Sequence, residues 1–204
     1  MPSATRATIL EATRRLSVTE GFRAITMRKV AAEVGLTAPA IYRHFASKGE
    51  LIEALLEEAR GAFLGYLTQA LEGGSAWERL MAAQNAYLRF ALERPDAYEL
   101  LMLTPNQLGL FRMPNSLDRW RNEPPPAFQL CVDRVAECMR AGDLTPGDPT
   151  EVALAISGLA HGLVSQFLAG RFGPDHEGFT RLYAASLEHL YRGVRATSSE
   201  PDVN

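Results

Sequence analysis

The spacing of its apolar residues constrains this chain more than any other feature. They recur at three- and four-residue intervals between clusters of glycine and proline, and no useful length alternates apolar and polar as a half-buried strand would. The chain is therefore read as all-α, with about nine helices. Their expected spans are 4–19, 27–34, 38–44, 48–71, 76–93, 96–103, 126–141, 150–171 and 176–195. Ile9, Ala12, Leu16 and Phe22 make the inward stripe of the first. Gly21 and Gly35 stand where a helix end favours positive φ, and Thr26 and Thr37 where the first free N–H groups need an acceptor. Ser47-Lys48-Gly49-Glu50 reads as a capping box opening the fourth helix, and Gly73-Gly74-Ser75 closes that helix. Segment 104–125 carries Pro105, Gly109, Pro114 and Pro124-Pro125-Pro126. It reads as a long loop with one turn of helix near 116–121, and 197–204 as a disordered tail.

Charge is divided unevenly along these helices. The formal net charge is −3, which on average speaks against a nucleic-acid partner. Residues 1–48, however, hold eight Arg or Lys and three Glu, whereas residues 49–204 hold thirteen basic and twenty-one acidic residues. A basic head precedes an acidic body, and the body would be repelled by phosphates that the head attracts. The two cysteines, Cys131 and Cys138, lie two helical turns apart, too far for a disulfide and outside zinc-ligand spacing. They are expected as free thiols in a reducing cytoplasm. No apolar run suited to a signal peptide opens the chain. Residues 152–170 carry no formal charge but are rich in Ala and include Ser157, His161, Ser165 and Gln166. They read as a buried interface helix, not a membrane span.

The most specific signal lies in residues 27–45. Two short helices joined by Gly35-Leu36-Thr37 make a helix-turn-helix, whose second helix enters the major groove of DNA. Val30, Ala31, Val34, Leu36, Ile41 and Phe45 can close a small core with Leu16 and Phe22. That leaves Thr37, Ala38, Pro39, Tyr42, Arg43 and His44 facing outward. Small residues there permit close approach to base edges, while Tyr, Arg and His supply contacts. Thr26, Arg28 and Lys29 start the second helix, where the DNA backbone would pass. Lys48 starts the fourth helix, where its ammonium and the helix N–H groups can meet a phosphate.

These residues carry a resemblance. Thr-Glu-Gly-Phe (19–22), Thr-Met-Arg-Lys-Val-Ala-Ala-Glu-Val-Gly-Leu (26–36) and Ile-Tyr-Arg-His-Phe-Ala-Ser-Lys-Gly-Glu-Leu (41–51) resemble the DNA-binding domain of the TetR family of bacterial transcriptional regulators. The resemblance implies an all-helical homodimer whose first three helices bind DNA and whose remaining helices bind ligand and dimerise. It also implies phosphate contact by the Tyr42 hydroxyl. Residues 87–98 and Gly158-Leu-Ala-His-Gly162 resemble a subgroup of C-terminal domains with a Trp/His-Gly signature, with Ser157 in place of the Trp. The domains expected are thus 1–48 for DNA and 49–196 for ligand and dimerisation, with the helix 48–71 connecting them.

Within the second domain, Tyr87, Phe90, Tyr98, Met102, Phe111, Trp120, Phe128 and His161 are the candidates to line a pocket for a small apolar or amphipathic effector. Ser157, Gly158, Gly162, Phe179, Leu182, Leu187, Leu190 and Tyr191 are the candidates for the dimer interface, where two symmetric heads would face a near-palindromic operator. The four His are scattered, and no His-Glu-x-x-His, phosphate loop, Gly-x-Ser-x-Gly or Cys-x-x-Cys occurs, so neither an enzyme nor a cofactor is expected. Two functions fit: an effector-released repressor, repression being the family's common mode, and a DNA-bound nucleoid protein that recruits protein partners.

Overall fold

The computed structural model describes residues 6–69, 73–103 and 121–195. Nine α-helices lie among them: α1 (Arg6–Glu20), α2 (Met27–Glu33), α3 (Ala38–Tyr42), α4 (Lys48–Gln69), α5 (Ala76–Glu93), α6 (Pro95–Tyr98), α7 (Pro126–Ala141), α8 (Pro149–Leu168) and α9 (His176–Val194). A 3-10 turn, Phe22–Ala24, joins α1 to α2, and a π-helical turn, Glu99–Leu103, continues α6. No strand occurs among the described residues. Of the expected loop 104–125, residues 104–120 lie outside them, as does the tail 197–204.

Helix starts follow their caps. Thr26 Oγ1 accepts the Lys29 N–H at 3.2 Å, and Ser47 Oγ accepts the Glu50 N–H at 3.1 Å. Glu50 reaches back one residue further than a capping box requires, accepting the Ala46 N–H at 2.7 Å. The complete reciprocal box is instead Ser75 with Glu78, at 3.2 and 2.7 Å, where the sequence suggested only a helix break. Thr37 takes the extended cap conformation, yet its hydroxyl makes no capping bond.

The chain divides into two compact units. Of the described residues, the first unit holds 6–63 and 94–103, and the second holds 64–69, 73–93 and 121–195. The boundary expected at residue 48 is thus too early, because the first half of α4 buries Leu51, Ile52, Leu55, Leu56 and Ala59 within the head's unit. Residues 94–103 also join that unit: Tyr98 is fully buried, and Asp96 lies 3.7 Å from Arg14 of α1. Ile9, Ala12, Phe22, Ile25, Met27, Val30, Ala31, Ala40, Ile41 and Phe45 complete its core. Leu16, Val34 and Leu36, expected in that core, are only half-buried because they lie at its margin.

The second unit is a helical bundle in which α8 packs on α5, α7 and α9. Although α8 is long and apolar enough to cross a membrane, its Ala153, Ile156, Ala160, Val164 and Phe167 serve as bundle core. Phe167 stacks on Phe179 of α9 at 4.1 Å, and Trp77 of α5 meets Tyr191 edge-on at 5.0 Å. Both cysteines are free. Burial pushes both thiols up, Cys138 to about 11, so both are protonated and poor nucleophiles at neutral pH.

The turn that sets the reading head closes α2 in a Schellman motif. Leu36 N–H donates to Ala31 O at 2.8 Å and Gly35 N–H to Ala32 O at 3.2 Å, with Gly35 at φ 68°. A Cβ on Gly35 meets no atom within 4 Å, so the whole cost of a side chain there is backbone strain. Gly35→Ala is expected to lower unfolding free energy by about 1–2 kcal/mol. Urea denaturation checks this, and a change within error of zero contradicts the left-handed turn.

Candidate nucleic-acid interface

Positive charge in the first unit separates into two groups. Arg14 is bound by Glu11, by Glu58 at 2.6 Å and by Asp96; Arg15 pairs with Glu33 at 3.1 Å; Lys29 pairs with Glu20. All three glutamates of residues 1–48 are engaged in this way. Arg6 pairs with Glu50 at 3.5 Å. Arg23, Arg28 and Arg43 are exposed and have no acidic partner among the described residues. They sit in the turn before α2, in the first turn of α2, and at the end of α3. Among the described residues of this unit, unpaired arginines are thus confined to the helix-turn-helix and the turn that precedes it.

Around them the outward residues stand as the motif requires. Thr37 and Pro39 are exposed, Ala38 and His44 are half-buried, and Tyr42 is 50% exposed. The Tyr42 hydroxyl can therefore reach a phosphate without unpacking the head, whose inner face is held by fully buried Ile41 and Phe45. Thr26 is exposed, and its oxygen is occupied as the cap of α2 while its hydroxyl proton can still donate. Lys29, expected to face DNA, is instead engaged by Glu20 and contributes little net positive charge.

Lys48 differs most from expectation. Its ammonium donates to Phe22 O at 3.0 Å and Arg23 O at 3.3 Å, and partial burial lowers its pKa. It ties the start of α4 to the turn that carries Arg23, and one of its three N–H groups remains for a phosphate. Arg23 itself was missed by sequence reasoning. A basic residue shortly before the Thr26 cap was the available signal. Nothing local pointed to the partners of Lys48, which are 25 and 26 residues away in sequence.

In the second unit the residues expected to line a pocket are only partly gathered. His161 is half-buried on α8, with Tyr87 Oη 3.4 Å from Nδ1 and Ser165 Oγ 3.4 Å from Nε2. Burial lowers the pKa of His161, so its ring is neutral at pH 7. Phe90 is fully buried and meets Tyr66 edge-on at 5.5 Å, and Phe128 is half-buried. Tyr98 and Met102 belong to the first unit, to which the chain returns after α5. Phe111 and Trp120 lie outside the described residues. A second polar cluster crosses the bundle nearby in sequence: Cys131 Sγ receives Gln84 Nε2 and Ser157 Oγ at 3.9 and 3.8 Å.

Of the residues expected at the dimer surface, Phe179, Leu187 and Tyr191 are buried in the protomer's own core, since the large apolar stripe of α9 packs within its own bundle. Ser157, Gly162 and Leu190 are half-buried. Gly158 is exposed, Leu182 is 43% exposed, and Leu154, not singled out from sequence, is 48% exposed.

Comparison with known proteins agrees with this geometry. The family model described as bacterial regulatory proteins of the tetR family matches residues 9–55, and the one described as a tetracyclin repressor-like C-terminal domain matches residues 80–190. The nucleoid occlusion factor SlmA of Vibrio campbellii is 34% identical over 88 residues, 42% of this chain and 45% of that protein. This chain therefore aligns with less than half of that relative's length. The SlmA of Pectobacterium carotovorum is 28% identical over 193 residues, covering 89% of this chain and 94% of that protein. A regulatory protein of the tetR family from Rhodococcus RHA1 superposes with a TM-score of 0.72 at 22% identity, over 95% of this chain and 98% of that one. AibR, solved with isovaleryl coenzyme A and operator DNA, superposes with a TM-score of 0.70 at 17% identity, over 91% and 97%. With an N-terminal match that spans the helix-turn-helix and a C-terminal match over half the chain, this protein belongs to the TetR family of bacterial DNA-binding regulators.

Proposed function

We propose that this chain is a repressor that binds a two-fold symmetric operator as a homodimer in the bacterial cytoplasm and is released by a small amphipathic effector. The observation that carries the DNA half is that, among the described residues of the first unit, the unpaired arginines are Arg23, Arg28 and Arg43, beside exposed Pro39 and Tyr42. Arg28, Arg43, Tyr42 and the free N–H of Lys48 hold the phosphates, and Thr37, Ala38, Pro39 and His44 face base edges. Thr26 adds a hydroxyl at the start of α2.

The effector half rests on the Tyr87–His161–Ser165 string. A neutral imidazole between two hydroxyls places a row of polar groups, able to exchange partners, inside a helical bundle. That suits an uncharged polar group on an otherwise apolar molecule, with Phe90 and Phe128 supplying apolar wall. AibR shows that a relative of this fold carries an acyl thioester together with operator DNA. Release follows from linkage: the effector binds more tightly to the form that does not fit the operator, and α4, which has residues in both units, carries the change. A second reading, a nucleoid protein that recruits protein partners and takes no effector, is favoured by the SlmA relatives.

Selection of duplex DNA from a random pool, followed by a compound screen for release, tests this function. A near-palindromic sequence and a releasing compound are expected. His161→Phe should lose at least about tenfold in sensitivity to that compound while operator affinity stays the same, as expected when a buried hydrogen bond to ligand is removed. Sites without symmetry, or release unaffected by His161→Phe, contradict the effector reading and leave the nucleoid one.

The dimer is assigned to the exposed face of α8 and α9 around Leu154, Gly158 and Leu182. Leu182→Asp places a charge on that face without touching the bundle core. It is expected to sediment as a monomer and to lose symmetric operator binding; a variant that remains dimeric places the interface elsewhere.

A further inference from the structure

The reading helix is too short to hold its own direction. α3 spans five residues, little more than one turn, with Ala40 and Ile41 N–H bonded to Thr37 O at its start and His44 and Phe45 N–H bonded to Ile41 O at its exit. Its exit is therefore placed by whatever touches it. Phe45, fully buried, anchors that exit from inside. Arg6, in the first turn of α1, grips it from outside. The Arg6 guanidinium donates to the His44 carbonyl at 2.7 Å, lies 4.0 Å over the Phe45 ring, and pairs with Glu50 of α4 at 3.5 Å. Glu50 in turn accepts the Ala46 N–H at 2.7 Å. One side chain from α1 and one from α4 thus hold three consecutive residues, His44, Phe45 and Ala46.

We propose that Arg6 is a positioning residue for DNA reading, fixing with Glu50 the exit of α3 and so the angle at which Tyr42, Arg43 and His44 meet the groove. A guanidinium suits this task. Its Nη1 donates to a carbonyl and lies within ion-pair distance of a carboxylate while its face stacks on an aromatic ring, and a lysine can do only part of that. Arg6 differs from a free phosphate ligand in that Glu50 pairs with it and its Nη1 is committed to the His44 carbonyl. Its role therefore differs in kind from that of the unpaired Arg23, Arg28 and Arg43.

The test compares wild type with Arg6→Ala, Arg6→Lys and Glu50→Gln. Each is titrated over a range of salt against a duplex recovered from the random pool and against a random-sequence duplex, with the melting temperature of each variant recorded. Arg6→Ala is expected to weaken binding to the selected duplex about tenfold, the size of one charged hydrogen bond. Its salt dependence should match wild type, and binding to the random duplex should change less. Arg6→Lys should recover part of the loss, and Glu50→Gln should weaken binding in the same direction. An affinity within about twofold of wild type overturns the proposal. So does a salt slope lower by about two units in the dimer, which marks Arg6 as a direct phosphate ligand. If Arg6→Ala does not fold, unchanged affinity in both Arg6→Lys and Glu50→Gln overturns it. Absence of any selected duplex would instead count against sequence-specific regulation itself.

Discussion

Eight cations lie in the first 48 residues, and the pairing of these charges decides what the head can do. Left unpaired, they would repel one another across a unit too small to spread them out. Glu11, Glu20 and Glu33 take up part of the charge locally. Glu50, Glu58 and Asp96 reach back from later helices to take up more, pairing with Arg6 and Arg14. Single exposed ion pairs of this kind contribute little to stability. Their consequence is selective: they remove net charge from the α1 side and leave Arg23, Arg28 and Arg43 unpaired on the side of the motif. The acidic balance of residues 49–204 works in the same direction, since negative charge there is repelled by phosphates.

Within the head the same cations also set geometry. Lys48 directs two of its donors at the carbonyls of Phe22 and Arg23, so the charge that opens α4 also fixes the turn before α2. Arg6 donates to the His44 carbonyl at the end of α3 and pairs with Glu50. Two basic side chains that a charge count treats as DNA ligands serve as struts, and the helices they brace are seven and five residues long. Short helices bring little stability of their own, so outside contacts set their direction. The second unit places its polar groups differently. His161 lies between Tyr87 and Ser165, each 3.4 Å away, inside the helical bundle.

The helices and the helix-turn-helix were legible in the sequence because their causes are local. The left-handed turn at Gly35, the cap at Thr26 and the apolar spacing of Val30, Ala31, Ile41 and Phe45 all act within a few residues of one another. Features that depend on chain reversal were not legible. His44 O is 38 residues from Arg6, and nothing in either segment announces the other. A stripe of large apolar residues on α9 shows that a face is buried but not what covers it. Phe179, Leu187 and Tyr191 were therefore assigned to a partner when they belong to the bundle, while Leu154, Gly158 and Leu182 remain exposed. Linear order hides the return of residues 94–103 to the first unit.

The division between paired and unpaired cations is tested most directly by the salt dependence of DNA binding in wild type, Arg28→Ala and Arg15→Ala. Arg28 is unpaired and Arg15 is held by Glu33. Plotted as log binding constant against log salt, Arg28→Ala should lower the slope by about two units for the dimer, because each head then neutralises one phosphate fewer. Arg15→Ala should leave it unchanged. Equal losses from the two substitutions, or a loss confined to Arg15→Ala, would mean that DNA meets a different face of the head and would contradict the account.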